Sequence, residues 1–502
     1  MLKSKNKINR FWAFVGLSAI YFFSRLQHLT AIPVFGDEAI YIRWAQIIRN
    51  VETLRFIPLT DGKQPLFMWL LAFGSLKLTA DPLVAGRLLS LTAGFLNFLA
   101  IFLASALLAN FTSSQKNILS FIKQSLEKKF TTAFLSSLIY TLIPFTFFFD
   151  RLALPDSLLS ALVSLSFVFS LLLAKFPRLD LSLILGFNLG LAWLTKSPAI
   201  YFLVLSLLFF LLINFRQPKK LFFPAIAIFI ALAAYNSLRL GPQFHMIAIR
   251  NQDYVWPLSK IIKKPLDPLL PHLSDIITIF SFYIGWPLLI LAFFAFLKNI
   301  KRIGKQHLVL FAWFFLPLLA TASFAKVFTA RYILFTIPFL IILISLALSN
   351  LKSLKFPLAL ICLALNLPLV YQLSVNPFFQ KLPPTESGYL QDWTSGWGIK
   401  PASAYLIDQS KTQNVIVGTE GSFGTLPDGL QIYTDGVNKL TIIGQGLGFT
   451  EIPDQLINAR DYGDQVYLLI NRSRLNVVDY NSFSIIKQYP KPDGDQLLLL
   501  KI

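Results

Sequence analysis

Residues 65–79 read PLFMWLLAFGSLKLT, and whether this stretch crosses a bilayer decides the topology of everything after it. A spanning helix needs about 20 mostly apolar residues. Eleven other stretches answer to that description, at roughly 11–28, 84–109, 131–149, 153–174, 181–195, 197–214, 221–237, 275–297, 307–324, 329–349 and 356–373. Basic residues settle the case of 65–79, because short cytoplasmic loops collect Lys and Arg. Six clusters are present: Lys3, Lys5, Lys7 and Arg10; Lys116, Lys123, Lys128 and Lys129; Lys175 and Arg178; Arg216, Lys219 and Lys220; Lys298, Lys301, Arg302 and Lys305; Lys352 and Lys355. With the N-terminus inside and eleven spans, all six fall on the cytoplasmic side. Counting 65–79 as a twelfth span would put the 110–130 cluster outside and reverse every later loop. The stretch therefore reads as an interfacial or re-entrant helix on the outer face.

Composition agrees with this class. The chain has 502 residues, is 55% hydrophobic and 15% aromatic, includes 49 Phe, and has a mean hydropathy of +0.61. The net charge of +20 is mostly a topology signal. Basic residues divided among short loops make no continuous track for phosphates, so nucleic-acid binding is set aside. The first apolar run is long and no small-x-small cleavage site follows it, so it reads as a signal-anchor. The single cysteine, Cys362, lies in the last span, which leaves the outer regions without disulfides or a thiolate metal site.

Three regions lie outside in this topology. The first loop, 29–83, holds AIPVFGDEAIYIRWAQ (31–46), with Asp37 and Glu38 directly after the first span. The second, 238–274, carries His245, Arg250, Asp253, Tyr254, Trp256 and His272. The third is the tail 374–502, where long apolar runs stop. Strand-like segments stand at 414–418, 439–443, 465–470, 482–489 and 495–502. PDG at 427–429 and 492–494 marks turns, the second closing a terminal hairpin. Helical periodicity covers 399–411 and 452–461. The sequence thus predicts an all-α polytopic membrane protein with about eleven transmembrane helices and outer juxtamembrane helices (1–373), followed by a small extracytoplasmic α/β domain (374–502). Its expected location is the plasma membrane.

Charged residues at the outer ends of spans are candidates for function. They are Asp37 and Glu38, Arg43, Asp61 and Lys63, Arg87, Asp150, Arg151 and Asp156, Lys196, and Lys326 with Arg331. A lone Lys or Arg there can be an anchor that snorkels to water. A short carboxylate cannot reach far, so Asp37 calls for a task. Together the set has a chemical logic: cations hold a phosphate, and a carboxylate takes a proton from a nucleophile.

The order of these pieces resembles the GT-C superfamily of polyprenyl-phosphate-dependent glycosyltransferases. It is most similar to the family containing protein O-mannosyltransferases and the aminoarabinose transferase that modifies lipid A. The resemblance covers about residues 10–350. The Asp-Glu pair stands in FGDEAIYIRWAQ. A Lys-Pro-Pro-type motif stands in DGKQPLFMWLLA, with Lys63 and Pro65. An Arg opens the second span in AGRLLSLTAG (Arg87). An Arg-x-x-x-x-Asp motif is DRLALPDSLL (Arg151, Asp156). A Thr-Lys-Gly-Pro-like motif is LAWLTKSPA (Lys196, Pro198), and a late Arg-Tyr opens ARYILFTIPFL (Arg331, Tyr332). Three positions depart from the pattern. Gly62 stands where members often carry Glu, with Asp61 one residue earlier; Gln64 replaces the first Pro; and Ser197 replaces the usual Gly.

The resemblance implies inverting sugar transfer from a polyprenyl-phosphate donor to an extracytoplasmic acceptor, which could be a glycan, a lipid or a protein. Asp37 would be the general base and Glu38 its support. Arg331, Lys196, Arg87 and Lys63 would meet the donor phosphate, with Asp61, Arg151, Asp156 and Tyr332 as further site candidates. A divalent metal could sit beside the carboxylates, but no cofactor is required. No Walker loop or dinucleotide fingerprint is present, and GTEGSFG (418–424) reads as a turn. The rival classes are a transporter or lipid flippase, which should show paired halves and charges at the bilayer midplane, and a glycan receptor built on the tail. Trp393, Trp397 and Tyr389 read as an interfacial aromatic belt, or as a loop over the active site.

Overall fold

The computed structural model describes residues 2–299, 304–447, 451–475 and 483–502. Lys301 and Arg302 of the fifth basic cluster, and the first residue of the fourth strand segment, lie outside them. The chain divides into two compact units. One comprises residues 1–27, 56–67 and 90–371; the other comprises 28–55, 68–89 and 372–502. The second unit therefore takes in most of the first outer loop along with the C-terminal tail.

The first unit is helical, and each apolar run forms helix. By length and apolarity five described helices suffice to cross a membrane: Pro82–Ala109, Pro155–Lys175, Pro218–Leu240, Lys305–Phe324 and Ala330–Ser349. Two bent pairs raise this to seven if each is one span. The run 275–297 belongs to one of them, Leu266–Tyr283 followed by Trp286–Leu297, which meet at 105°. Gly285, at φ 87°, makes the corner, where a Cβ would lie 2.7 Å from the Asn366 amide oxygen. The last run bends by 40° between Lys355–Ala364 and Leu367–Val375. Runs 181–195 and 197–214 are shorter helices, Leu179–Thr195 and Ala199–Asn214. Run 131–149 is divided between Ile118–Leu142 and Pro144–Phe149, because a residue before proline is pushed out of the helical region; Ile143 has ψ 138°. The decisive stretch 65–79 holds an eight-residue helix, Leu66–Phe73. At 1.5 Å per residue it is about 12 Å long, too short to span.

Small and polar residues hold these helices together, since lipid-facing apolar surface gains little from packing against more of the same. Helix Leu179–Thr195 lies against Phe222–Asn236 through Gly186 and Gly190. A Cβ on Gly190 would stand 2.6 Å from Ala234 Cβ, and one on Gly186 would stand 2.7 Å from the Ala227 carbonyl. The amide of Asn188 donates to Leu162 O and Ser166 Oγ at 2.7 and 2.8 Å. Asn97 donates to Ser160 at 2.9 Å. The first helix is fastened by Arg25, whose Nε donates to Asp150 at 3.2 Å. Asp150 also accepts from Tyr21, Tyr140 and Ser157. All of these groups are buried, so each donor and acceptor needs its partner.

In the second unit five strands form one sheet in the order β2-β1-β3-β5-β4. They are β1 (Val415–Thr419), β2 (Leu440–Gly444), β3 (Gln465–Asn471), β4 (Ser484–Pro490) and β5 (Gln496–Lys501). β1 pairs parallel with β2 and β3, and β5 pairs antiparallel with β3 and β4. The hairpin at PDG 492–494 forms as expected, with Gly494 at φ 87°. The first PDG instead opens helix Asp428–Thr434. Helices Ile399–Ser410 and Asp454–Asp461 match the periodic segments. Leu456, Val466, Leu468, Ile470, Leu498 and Leu500 form a core under the sheet. Helix Gly36–Asn50 packs on Asp428–Thr434: Gln46 donates to Ile432 O at 2.8 Å, and Arg43 pairs with Asp435 at 2.8 Å.

Two outcomes test this packing. Gly190→Leu is expected to lower the thermal midpoint of the detergent-solubilised protein, overpacking of this kind costing about 1–3 kcal/mol. Gly16→Leu, with nothing within 4 Å of its Cβ position, should leave the midpoint unchanged. Burial of the Asp428 carboxyl pushes it from 3.8 up to about 6, against the Gly424 N–H that it accepts at 2.6 Å. The folded chain then binds a proton that the unfolded chain has already lost between these values. Stability should therefore fall as pH rises from about 4 to about 6, by about 3 kcal/mol at most. Asp428→Asn should flatten that slope in a pH series of thermal melts.

Candidate functional site

The helical unit contains a cavity of about 340 Å³ where several motif residues meet. Its polar lining includes Asp61, Lys63, Lys196, Arg250, Tyr254 and Tyr332. Phe324, Val327 and Phe335 supply an apolar wall. Lys196 ends helix Leu179–Thr195 in extended backbone (φ −163°, ψ 145°). Its Nζ donates to Asp156 Oδ1 at 2.6 Å and lies 4.8 Å from the ring of Tyr332. Asp156 stands in the first turn of Pro155–Lys175 and is only 3% exposed. Its second oxygen has no hydrogen-bond partner among the described residues. The guanidinium of Arg331 lies 5.2 Å from the ring of Tyr332.

Lys63 makes one hydrogen bond and one long ion pair among the described residues. Asp61 is 3.8 Å away and is claimed by Arg250, whose Nε and Nη2 approach its Oδ1 at 2.7 and 2.6 Å. Lys63 itself reaches the Tyr254 hydroxyl at 3.2 Å and lies 4.3 Å from that ring. Asp253, on the exposed side, pairs with Arg250 at 2.6 Å.

Here the departures from the family pattern find a physical account. Gly62 sits at φ 67°, a conformation that costs glycine little, and a Cβ there would stand 2.8 Å from Arg250 Cβ. A glutamate at 62 would collide with the arginine that Asp61 binds. Gln64 and Ser197, the other two departures, touch each other: Gln64 Nε2 donates to Ser197 Oγ at 2.7 Å. This bond links the segment carrying Lys63 to the segment carrying Lys196.

The Asp-Glu motif belongs to the second unit. Glu38 and Arg87 form an ion pair that is 0% exposed on both sides. Arg87 Nε and Nη2 donate to the two Glu38 oxygens at 2.9 and 2.7 Å. Its other donors reach Leu29 O, Ile32 O and Pro33 O at 2.7–2.9 Å. A guanidinium has five N–H groups, and all five are used. Arg87, expected among the phosphate ligands, thus has all its donors engaged within this unit. Glu38 also accepts the Phe35 N–H at 3.0 Å, reaching back across the start of helix Gly36–Asn50. It shapes that start and is shut off from any acceptor.

Asp37, partly exposed, stands in the first turn of the same helix, where backbone N–H groups favour a carboxylate. The segment before it is held by the C-terminal part of this unit. Gly36 N–H donates to Thr394 O at 3.0 Å and Gly396 N–H to Val34 O at 2.8 Å. A Cβ on Gly36 would stand 2.9 Å from Thr425 Oγ1. Tyr389 packs its ring 4.4 Å from Phe35. Trp397 donates to Leu390 O at 2.9 Å, and Trp393 carries the Arg474 guanidinium at 3.9 Å.

Arg151 stands on the segment between Pro144–Phe149 and Pro155–Lys175. It is buried, donates to Gln27 O at 2.9 Å and lies 4.8 Å from the ring of Phe147. Arg250 and Tyr254 stand among the polar residues of the second outer loop, outside the motifs. The displaced acid at Asp61 was the signal that a cation should be sought for it. Among the described residues no three His, Cys, Asp or Glu side chains gather in a metal-binding group.

The fold is similar to that of solved structures of ArnT and AglB, and the chain is a multi-pass membrane protein. Residues 118–237, which include Asp156 and Lys196, match the family model for dolichyl-phosphate-mannose-protein mannosyltransferase. No curated protein matches the sequence. Among solved structures, ArnT from Cupriavidus metallidurans bound to undecaprenyl phosphate is similar, with a TM-score of 0.56 at 14% identity over 97% of each chain. Its apo state gives 0.58 at 13% identity, covering 100% of this chain and 98% of that one. The archaeal oligosaccharyltransferase AglB from Archaeoglobus fulgidus, in complex with an inhibitory peptide and a dolichol-phosphate, gives 0.50 at 11% identity, covering 93% of this chain and 70% of its own. At these identities the likeness is one of fold.

The Gln64–Ser197 bond makes a prediction of its own. Gln64→Ala and Ser197→Ala should each lower the thermal midpoint, a buried hydrogen bond contributing about 1 kcal/mol. The double variant should lose no more than the worse single one. Additive losses would mean that the two residues act separately.

Proposed function

We propose that this protein is a membrane glycosyltransferase that moves a sugar from a polyprenyl-phosphate donor to an extracytoplasmic acceptor with inversion at C1. The observation that carries this reading is the cavity in which Lys63, Lys196 and Arg250 meet an apolar wall. A phosphate with a hydrocarbon tail needs that combination: cations with N–H groups for the anion, and a surface from which water is excluded for the chain. The undecaprenyl phosphate bound by ArnT and the dolichol-phosphate bound by AglB belong to the same chemical class. The proposed orientation has the N-terminus in the cytoplasm, eleven spans in the plasma membrane, and the tail outside.

In the proposed reaction an acceptor hydroxyl or amine attacks C1 of the sugar. The new bond forms as the C1–O bond to the phosphate breaks, and the polyprenyl phosphate leaves with the electron pair. Asp37 takes the proton of the attacking group. Glu38 acts through its clamp with Arg87, which sets the start of the helix bearing Asp37. Negative charge grows on the leaving phosphate, where fixed cations stabilise it most. Lys63 and Lys196 fill that role, with Arg250 and Arg331 in support; Tyr332 and Asp156 orient Lys196, and Asp61 orients Arg250. Asp37 serves as base with no metal in its role.

The test is transfer in membranes containing the protein and supplied with a polyprenyl-phosphate sugar. Asp37→Asn should reduce transfer by about 10²–10⁴-fold with the donor KM little changed. Lys63→Gln should act mainly through the donor KM. Full transfer by Asp37→Asn would remove the proposed base and with it the mechanism.

A further inference from the structure

A second cavity, of about 210 Å³, opens in the helical unit among Ile118–Leu142, Trp286–Asn299, Lys305–Phe324 and Ile337–Ser349. It shares no lining residue with the first. Lys129, Thr132 and His307 line it, with Phe296, Phe311 and Leu343. Among the described residues no carboxylate does so.

Lys129 is the unusual member. It is half-buried and has no hydrogen bond or ion pair among the described residues. It also stands where its helix departs from helical geometry, at φ −116° and ψ 18°. An ammonium held away from bulk water without an anion is costly. His307 Nδ1 accepts the Gly304 N–H at 3.1 Å, so the neutral ring carries its proton on Nε2 as a donor. The lining residues Lys129, His307 and Asn350 lie close in sequence to three of the six basic clusters. Basic pockets between membrane helices attract anionic lipid headgroups, each Lys or Arg near the surface contributing about 1 kcal/mol.

We propose that this cavity binds the phosphate headgroup of an anionic bilayer phospholipid. Lys129 pairs with the phosphate, His307 Nε2–H and the Thr132 hydroxyl are placed to donate to its oxygens, and the three apolar side chains receive the first part of an acyl chain. The chemistry is that of a phosphate anion, and the apolar lining favours a lipid over free phosphate. The inference stands independently of the transfer reaction.

The experiment uses the full chain in detergent, followed by thermal melts and native mass spectrometry with added phosphatidylglycerol, phosphatidylcholine or inorganic phosphate. Phosphatidylglycerol should raise the midpoint and be retained, and the other two should do neither. Lys129→Gln should raise its half-saturating concentration roughly fivefold, and His307→Leu should weaken it in the same direction. Lys123→Gln, an exposed lysine of the same segment, should leave it unchanged. Equal responses of the wild type and both cavity variants would overturn the proposal. So would an equal effect of phosphatidylcholine, or a shift reproduced by inorganic phosphate alone. Retention of phosphatidylglycerol over phosphatidylcholine by the wild type is read without any variant, so a misfolded substitution leaves the test intact.

Discussion

A guanidinium buried beyond the reach of water must have every N–H answered, and Arg87 meets that demand inside one unit. Two of its donors fasten Glu38 and three gather the carbonyls of Leu29, Ile32 and Pro33. The cost of desolvating both charges is offset only because the geometry is complete, and removing either partner would leave a buried charge alone, a loss of about 3–5 kcal/mol. The chain path from residue 29 to 38 is thereby drawn around a single side chain. That path delivers Asp37 to the first turn of its helix. Burial separates the adjacent acids: Glu38 is enclosed, and Asp37 retains exposure.

The same demand organises the helical unit. Asp150 is surrounded by donors from Arg25, Tyr21, Tyr140 and Ser157. Asp156 holds Lys196, and Asp61 holds Arg250. Carboxylates here aim cations. Once these pairs are made, the cations bordering the apolar-walled cavity are held in place before any ligand arrives. Preorganised charge of this kind favours an anion without reorganisation when it binds.

The departures from the family pattern follow a common logic. Gly62 allows Arg250 to lie against the backbone, and Asp61 supplies the carboxylate that Arg250 needs. Gln64 and Ser197 replace residues that cannot hydrogen-bond through a side chain, and they bond to each other. In three dimensions Asp61 pairs with Arg250 beside Gly62, and Gln64 bonds to Ser197.

Much of the architecture was legible because it rests on local patterns. Apolar runs, strand alternation and the PDG turn at 492–494 all report short-range physics, and the helices and strands appear where those patterns stand. The GFNLG spacing at 186–190 was also present in the sequence, but a helix apolar on all sides offers no polar contrast to mark its packing face. The sequence by itself determined a polytopic membrane protein with acids and cations at the ends of its helices and a small α/β domain at its C-terminus. Only tertiary structure decided which charges were matched and which retained capacity. That depends on partners 49 residues apart for Arg87 and Glu38 and 189 apart for Arg250 and Asp61. Burial and hydrogen-bond saturation belong to the assembled fold, where the dielectric around a charge is set by what the distant chain places beside it.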